Sequence, residues 1–318
     1  MLIRHLRFFV ALAEAQHFGR AAEICNITQP TLSQAIRKLE EDLNLALIIR
    51  GHRFMSLTPQ GESVLQWGRQ ILANYDSLKD DLSGKKGGLT GTVRLGVIPA
   101  AMPSVSFLSQ QFEQRHPMAS IEIRSMPSKL IQLSLNNFDI DGGITYLDNE
   151  PLEHVRCFPL YDERYVFACH VDHPLAKAEA VSWADAVGQP LCLLTNDMQN
   201  RRILDGIAAK AGVKLHPKVV CNSFLGIASH LRSGTWCAIV PHTFGFVFRG
   251  VQGFVLRALV NPSHQQQIGL VLSDRSPQSP MACALQACAE NAEIEHQFRM
   301  AIEADVPWSD DEPPSHSQ

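Results

Sequence analysis

Residues 19–43 constrain this chain most, because they predict two short helices joined by a tight polar turn. Asn26 marks the corner, since Asn commonly ends a helix. Thr28 is a suitable N-cap for the second helix, and Pro30 lies in its first turn, where a missing N–H costs nothing. The inner face of the first helix is predicted to consist of Ala21, Ala22 and Ile24.

The second helix has two faces of opposite character. Its apolar residues recur at spacings of three, one and three and are predicted to be buried: Leu32, Ala35, Ile36 and Leu39. The other face carries groups that can bond to base edges and phosphates, and these residues, with Pro30, are predicted to contact DNA: Gln29, Thr31, Ser33, Gln34, Arg37 and Lys38. A recognition helix needs both faces. An ordinary amphipathic helix fits these residue types equally well, so the flanking residues decide.

A predicted wing follows. Two short strands, 47–49 and 54–57, flank a basic tip in which Arg50, His52 and Arg53 are predicted to approach the phosphate backbone or a narrow minor groove. An exposed hairpin that touches nothing is the alternative. The neighbouring recognition helix favours the wing, and a first helix over residues 3–15 is predicted to support both.

These elements resemble the amino-terminal winged helix-turn-helix of the LysR-type transcriptional regulators, and the likeness extends more loosely almost to the carboxyl end. The matching residues are Phe18, Ala21, Ala22, Gln29, Pro30, Ser33, Ile36, Leu39, Glu40, Leu43, Leu47, Arg50, Leu57, Thr58 and Gly61. His17 and the pair Ile48 and Ile49 depart from the commoner Ser/Thr and Phe-Glu, and neither departure removes an element. The resemblance implies a sequence-specific DNA-binding regulator that responds to an effector. Residues 145–151 and 198–202 also resemble members that accompany formate dehydrogenase operons.

Charge and length agree with selective DNA binding. With 318 residues the chain is long enough for several cores. The 28 basic and 32 acidic residues exclude an indiscriminate polyanion binder. Residues 1–58 hold seven basic against five acidic side chains, a modest local excess that is typical of sequence-selective binding.

Other function classes find little support. The eight cysteines are scattered and predict buried thiols in a reducing compartment. No run approaches the roughly 18 apolar residues of a membrane span, so a cytoplasmic protein without membrane contact is expected. Nucleotide, hydrolase and zinc-protease motifs are absent from the sequence, which predicts no enzyme and no cofactor. His170 and His173 precede a common turn and are predicted to be structural rather than metal ligands.

A long helix is predicted to link two domains. Thr58 caps it and Pro59 begins it, and a heptad seam runs along it through Val64, Gly68, Ile71, Tyr75, Leu78 and Leu82. In the LysR-like interpretation the seam pairs with a second subunit, in a homodimer or homotetramer. Packing on the chain's own carboxyl-terminal domain is the alternative. Residues 83–88 are predicted to end the helix in a flexible hinge.

Beyond residue 89 the pattern alternates between strands and helices, which predicts βα units and a mostly parallel sheet. Strands are predicted at 92–97, 120–126, 142–146, 191–194, 218–221, 237–241 and 267–272, and helices at 103–116, 128–136, 200–211, 223–234 and 281–304. The fold class is α+β: a winged helix-turn-helix (1–58), a linker helix and hinge (59–88), a two-lobed α/β domain (89–304) resembling periplasmic binding proteins, and a disordered acidic tail (305–318). The last strand and helix are predicted to return to the first lobe.

A ligand is predicted between the lobes, where helix amino termini follow the carboxyl ends of strands. The candidate effector-binding residues are Pro99, Ala100, Ala101, Met102, Ser128, Thr145, Asn200, Ser223 and Phe224. Simple N-capping by Ser128 and Ser223 is the alternative for those two residues. The predicted partners are double-stranded operator DNA, a small organic anion of the carboxylate class, and RNA polymerase. A solute-receptor-like protein without a regulatory role is the alternative function.

Overall fold

The computed structural model describes residues 2–50, 54–87, 89–248 and 253–302. The chain forms two compact units, the first made mainly of residues 1–90 and the second of most residues from 91 onward, and each is described by itself. The amino-terminal unit contains α1 (Leu2–Ala15), α2 (Phe18–Ile24), α3 (Gln29–Leu43), β1 (Ile48–Arg50), β2 (Phe54–Leu57) and α4 (Pro59–Gly87).

The predicted helix-turn-helix is confirmed. Asn26 takes a left-handed conformation at the corner, with φ of 52°. The hydroxyl of Thr28 accepts a hydrogen bond from the Thr31 backbone N–H at 3.4 Å, so Thr28 is the N-cap. The four apolar residues predicted for α3 are its buried residues. Ile24 was wrongly assigned to the core: it is 64% exposed, and Cys25 packs against the core of the unit instead.

The wing strands are confirmed as an antiparallel pair in which Ile48 lies opposite Leu57. Glu40 of α3 fixes their start, because its Oε1 accepts hydrogen bonds from the backbone N–H groups of Leu47 and Ile48 at 2.9 and 3.3 Å. The hydroxyl of Thr58 caps α4 by accepting from the Gly61 N–H at 2.9 Å. Of the predicted wing tip, residues 50–53, Arg50 ends β1 and residues 51–53 lie outside the described residues.

The linker helix differs from its prediction in two ways. It continues as far as Gly87, so the expected break at residues 83–87 is wrong, and Gly88 lies outside the described residues. The predicted seam is also split. Gly68 is buried, and the side chains of Leu6 and Val10 of α1 pack against it where a side chain would otherwise lie. Val64 packs against the same core. The rest of the stripe is exposed: Ile71, Tyr75, Leu78 and Leu82, joined by Trp67.

The second unit is a two-lobed α/β domain, as predicted. Its strands are β3 (Gly91–Val97), β4 (Ala119–Ser125), β5 (Gly142–Tyr146), β6 (Val155–His170), β7 (Ala180–Ser182), β8 (Cys192–Leu194), β9 (Val219–Cys221), β10 (Ala238–Pro241), β11 (Phe254–Val260) and β12 (Gln265–Ser273). Its helices are α5 (Val105–Arg115), α6 (Ser128–Asn136), α7 (Trp183–Val187), α8 (Gln199–Lys210), α9 (Phe224–Leu231), α10 (Phe244–Phe248), α11 (Pro280–Asn291) and α12 (Ile294–Ile302). Two 3-10 turns, Pro99–Ser104 and Pro174–Lys177, complete it.

One strand, β6, belongs to both lobes. Residues 155–164 of β6 pair with β12 in the first lobe, beside β5, β3 and β4. Residues 165–170 pair with β10 and β11 in the second lobe. The return of the last strand to the first lobe is therefore confirmed. The expectation of a mostly parallel sheet is wrong, because β3, β4 and β5 are parallel whereas β6 and β12 run antiparallel to their neighbours.

Some boundaries were also wrong. Residues 99–104 form a 3-10 turn before α5, and the helix predicted at 281–304 is two helices interrupted after Asn291. The predicted disordered tail, residues 305–318, lies outside the described residues, as do residues 303 and 304. In the described part of the chain, no helix combines the length and the apolar character needed to span a bilayer.

Two glycine substitutions test the packing. A Cβ at Gly61 would lie 2.1 Å from the Leu47 carbonyl oxygen, so Gly61→Ala should destabilise the amino-terminal unit by about 3 kcal/mol or more.

Gly206 lies in α8, and a Cβ added there would have no neighbouring atom within 4 Å, so Gly206→Ala should stabilise the protein by about 0.5–1 kcal/mol. Calorimetric unfolding of the full chain measures both, and a Gly61→Ala protein as stable as wild type would contradict this packing.

Candidate nucleic-acid interface and effector cleft

The outer face of α3 presents the predicted DNA-contacting groups. Ser33 is half-buried, and the others are exposed: Gln29, Pro30, Thr31, Gln34, Arg37 and Lys38. Lys38 bonds to Asp42 at 2.9 Å, and this hydrogen bond raises the pKa of Lys38. Thr31 shares a 2.8 Å hydrogen bond with Thr28. Arg50 ends β1, whereas His52 and Arg53 lie outside the described residues. The face combines amides, hydroxyls and cations above an apolar floor.

A small cavity of about 10 Å³ lies between the two lobes of the second unit, with room for about one water molecule. It is lined by Ile98, Pro99, Ala100, Pro127, Ser128, Tyr146, Leu194, Met198, Gln199 and Asn200. The first turns of α6 and α8 both contribute to it, from opposite lobes. Backbone N–H groups and a partial positive charge therefore converge on this cavity.

Four of the predicted effector residues line this cavity, namely Pro99, Ala100, Ser128 and Asn200. Ala101, Met102, Ser223 and Phe224 are not among its lining residues. Thr145 precedes Tyr146 on β5, so the two side chains point to opposite faces, and it is Tyr146 that reaches the cavity. Ser128 is the first residue of α6, where the Pro127 carbonyl accepts the first hydrogen bonds, and Ser223 precedes α9 without a side-chain cap bond. Simple capping therefore does not explain either serine.

A buried polar chain begins at the cavity wall and continues behind it. Asn200 Nδ2 donates to the Tyr146 hydroxyl at 2.9 Å, and that hydroxyl donates to Glu163 Oε1 at 2.7 Å. Glu163 is fully buried on β6. Asn200 Oδ1, Gln199 Oε1 and Glu163 Oε2 are buried without a hydrogen-bond partner. The chain joins α8 of the second lobe to β5 and β6 of the first.

Burial dominates the titration of this group. It raises the pKa of Glu163 to about 7, although the hydroxyls of Tyr146 and Tyr165 lower this pKa in part. The Tyr165 hydroxyl does so from nearby, without a hydrogen bond of good geometry. Burial also raises the pKa values of Tyr146, Tyr161 and Tyr165, which keeps the three phenols neutral. The carboxyl is thus poised between its two forms near neutral pH.

A polar latch also joins the lobes. Arg202 of α8 forms a bidentate salt bridge with Glu150, with N–O distances of 2.8 and 2.7 Å. It also donates to the Asp197 carbonyl at 2.7 Å. The side-chain amide of Gln199 donates to the Asn149 carbonyl. Asn149 and Glu150 both have positive φ, 53° and 76°, which is unfavourable for residues with a side chain. The loop after β5 therefore has two residues with unfavourable backbone conformations, and it makes the hydrogen bonds to Gln199 and Arg202 in that conformation.

Among the residues that the structure describes, neither the histidines nor the cysteines form a further site. His173 Nδ1 accepts from the Leu175 N–H and caps the following turn, and the described residues contain no group of His, Cys, Asp or Glu suited to a metal. Burial raises the pKa of Cys169 to about 11 and those of Cys192 and Cys237 to about 12, so these thiols are protonated and unreactive. The expectation that all cysteines are buried is wrong, because Cys157 and Cys283 are exposed.

A winged helix-turn-helix followed by a long helix and a two-lobed domain with a cleft defines a DNA-binding regulator with a ligand-binding module. The model of the bacterial regulatory helix-turn-helix protein, lysR family, matches residues 3–62, and that of the LysR substrate binding domain matches residues 86–293. The chain belongs to the LysR-type transcriptional regulators.

Relatives and solved structures agree with this assignment. The chain is 29% identical over 278 residues to the DNA-binding transcriptional dual regulator OxyR of Escherichia coli K12, covering 87% of this chain and 91% of the relative. It is 30% identical to AlsR of Bacillus subtilis over 225 residues, 69% of this chain and 73% of AlsR. Among solved structures, a cysteine-substituted full-length OxyR of Pseudomonas aeruginosa has a TM-score of 0.72 at 23% identity, covering 92% and 98% of the two chains. CbnR complexed with its target DNA has a TM-score of 0.65 at 19% identity, covering 92% and 100%.

Substitutions on α3 test base reading. Gln29→Ala and Ser33→Ala should each weaken binding to the operator by about 1–3 kcal/mol, about 5- to 150-fold, because each removes a group that can bond to a base edge. Binding to scrambled DNA should change little. Fluorescence anisotropy at fixed salt measures both, with Glu23→Ala, exposed on α2, as the control. Equal losses on both DNAs would exclude base reading by these two side chains.

The latch is testable by hydrogen exchange. Glu150→Gln removes the charge that pairs with Arg202, so the amides of residues 147–154 should exchange faster. Stability should fall by no more than about 1 kcal/mol, since both partners are partly exposed. Glu153→Gln, an exposed carboxylate in the same loop, is the matched control. Unchanged protection in Glu150→Gln would show that the latch does not order the loop.

Proposed function

We propose that this LysR-type regulator responds to a small organic anion bound between the lobes of its second unit. The observation that carries the proposal is the convergence of the α6 and α8 amino termini on one cavity, whose wall also carries the side-chain amides of Gln199 and Asn200. Helix amino termini favour negative charge, and a primary amide can turn its NH2 group toward an anionic ligand.

The ligand is expected to be small. No Lys or Arg is among the lining residues, so helix termini rather than a cation would supply the attraction. The cavity has room for about one water, so any organic ligand must open the lobes slightly. A short carboxylate requires least opening. The resemblance of residues 145–151 and 198–202 to regulators that accompany formate dehydrogenase operons makes formate the first ligand to test.

DNA binding is expected to require a second copy of the chain. The exposed stripe of Trp67, Ile71, Tyr75, Leu78 and Leu82 on α4 suits a partner helix. A two-fold dimer can place two recognition helices about 34 Å apart, one turn of DNA. A ligand that binds one lobe arrangement more tightly than the other would then shift the regulator between states that differ in DNA bending and in contact with RNA polymerase in the cytoplasm.

A second candidate is a response to hydrogen peroxide. Several relatives are named hydrogen peroxide-inducible genes activators, and the cavity is of a size to hold one small, uncharged molecule. The lining includes Met198 and no cysteine, so a thiol-based reaction would have to take place elsewhere. Mass spectrometry of the peroxide-treated protein, combined with operator binding, distinguishes this candidate from reversible anion binding.

A binding assay tests the anion proposal. Formate, acetate and acetamide are titrated against the full-length protein, and the melting temperature is followed, because a ligand that binds only the folded state raises it. Formate should stabilise the protein and acetamide should not. Asn200→Ala should weaken formate binding by about 1–3 kcal/mol, about 5- to 150-fold. Asn222→Ala, an exposed residue outside the cavity, should bind as wild type. Equal stabilisation by acetamide would exclude selectivity for an anion.

A further inference from the structure

Glu163 is an ionisable group that neither DNA binding nor simple anion attraction explains. It is fully buried on the strand shared by the two lobes, and it lies behind the cavity wall. Its Oε1 accepts a hydrogen bond of good geometry from Tyr146, whereas Oε2 accepts none, although the Tyr165 hydroxyl lies close enough to help to stabilise the carboxylate. A buried carboxylate with one of its two oxygens unpaired is strongly disfavoured relative to its neutral acid. The environment of Glu163 therefore favours its protonated, neutral form.

The direction of the polar chain sets what the cavity offers a ligand. Asn200 donates to Tyr146 and Tyr146 donates to Glu163. The amide nitrogen of Asn200 is used in this chain, and its oxygen, Oδ1, has no hydrogen-bond partner. This arrangement suits an ionised Glu163, which only accepts. A ligand that meets the unpaired end of this amide then meets an acceptor, which repels an anion.

A proton on Glu163 permits the reverse direction. The new O–H of Glu163 donates to the Tyr146 oxygen, the Tyr146 O–H rotates to donate to Asn200 Oδ1, and the amide turns over so that Nδ2 faces the cavity. One proton is taken from solvent, one O–H bond forms on Glu163, and no other covalent bond changes. The two ends of an amide are nearly equal in shape, so the turn needs little repacking.

We propose that Glu163 makes anion binding in the cleft proton-linked, through this reversible chain of Glu163, Tyr146 and Asn200. The inference rests on the proposed function and adds the regulation of the same site. An anion and a carboxylate on either side of one hydroxyl repel each other, and uptake of one proton removes the repulsion while it turns a donor toward the ligand. The regulator would thus respond to an anion more strongly in acidic than in alkaline conditions.

The surroundings of Glu163 agree with such a titration. Tyr146 faces it from β5, Tyr161 and Tyr165 lie on its own strand, and the neutral amide of Gln266 is its neighbour on β12. Glu295 of α12 is the next acid and acts on Tyr161, while Arg164 follows Glu163 on the other face of β6. Burial raises the folded-state pKa of Glu163 to about 7 from 4.5. Its contribution to stability is therefore complete below about pH 4.5 and is lost as the pH rises through 7.

The experiment is calorimetric titration of full-length protein with formate at pH 6, 7 and 8, in two buffers of different ionisation enthalpy. If Glu163 must be protonated, the Kd rises about tenfold from pH 6 to pH 8. The heats should report uptake of about half a proton per formate at pH 7 and nearly one at pH 8. This measurement needs only the wild-type protein, so no variant has to fold.

Three variants assign the proton. Glu163→Gln can always donate to Tyr146, so it should bind formate at pH 8 about as tightly as wild type does at pH 6, without proton uptake. Tyr146→Phe interrupts the chain and should bind with little pH dependence. Glu113→Gln, exposed on α5, should keep the wild-type pH dependence. Protein unfolding without ligand provides a second readout, in which the Glu163→Gln melting temperature should fall less than wild type between pH 5.5 and 8.

The outcomes separate the two proposals. Formate binding with the same Kd at pH 6 and 8, or with no proton uptake, overturns the linkage and leaves the proposed function standing. Formate binding at neither pH overturns the anion class and the linkage together. A pH dependence that persists unchanged in Glu163→Gln shows that another group takes the proton, and it also overturns the inference.

Discussion

The pairing of β6 with β12 is the constraint on which the ligand-binding unit depends. Strand β6 is sixteen residues long, and its two halves pair with different lobes, so each lobe is built on the same continuous backbone. A side chain on the shared strand cannot move away from the lobe junction without breaking that pairing. Glu163 is held at the junction in this way, and its burial is a consequence of the topology.

The amino-terminal unit is predictable from sequence because its signals are local. An Asn at the corner, a Thr cap, a Pro in the first turn and four apolar positions each refer to residues within one or two helical turns. The misassigned Ile24 shows the limit of such signals. It lies at the edge of the short α2, where only the packing of α1 and α3 determines that Ala21 and Ala22 are buried and that Ile24 is exposed.

The cleft was predictable only in part. The rule that ligands bind beyond strand ends, at helix amino termini, located Ser128 and Asn200. Glu163 was missed because β6 was not recognised as a strand, since a charged run such as Asp162–Arg164 is atypical of a buried one. Tyr146 was missed although its strand was predicted, because the neighbouring Thr145 was chosen and its side chain points to the opposite face. A signal was present: Tyr161, Glu163 and Tyr165 alternate with period two, which places an acid between two aromatic residues on one face. The latch of Glu150 and Arg202 had no sequence signal, because its partners are 52 residues apart.

Magnitudes decide whether an anion enters beside an ionised Glu163. Each helix amino terminus contributes about 0.3–1 kcal/mol of attraction, up to about 2 in a partly buried site. Two like charges roughly 8 Å apart repel by about 2 kcal/mol at an effective dielectric constant of about 20. Attraction and repulsion then nearly cancel, so the helix termini alone do not hold the ligand. Protonating an acid whose pKa is about 7 costs well under about 1 kcal/mol at neutral pH. Uptake of a proton is therefore the least costly way for this cleft to accept a negative charge.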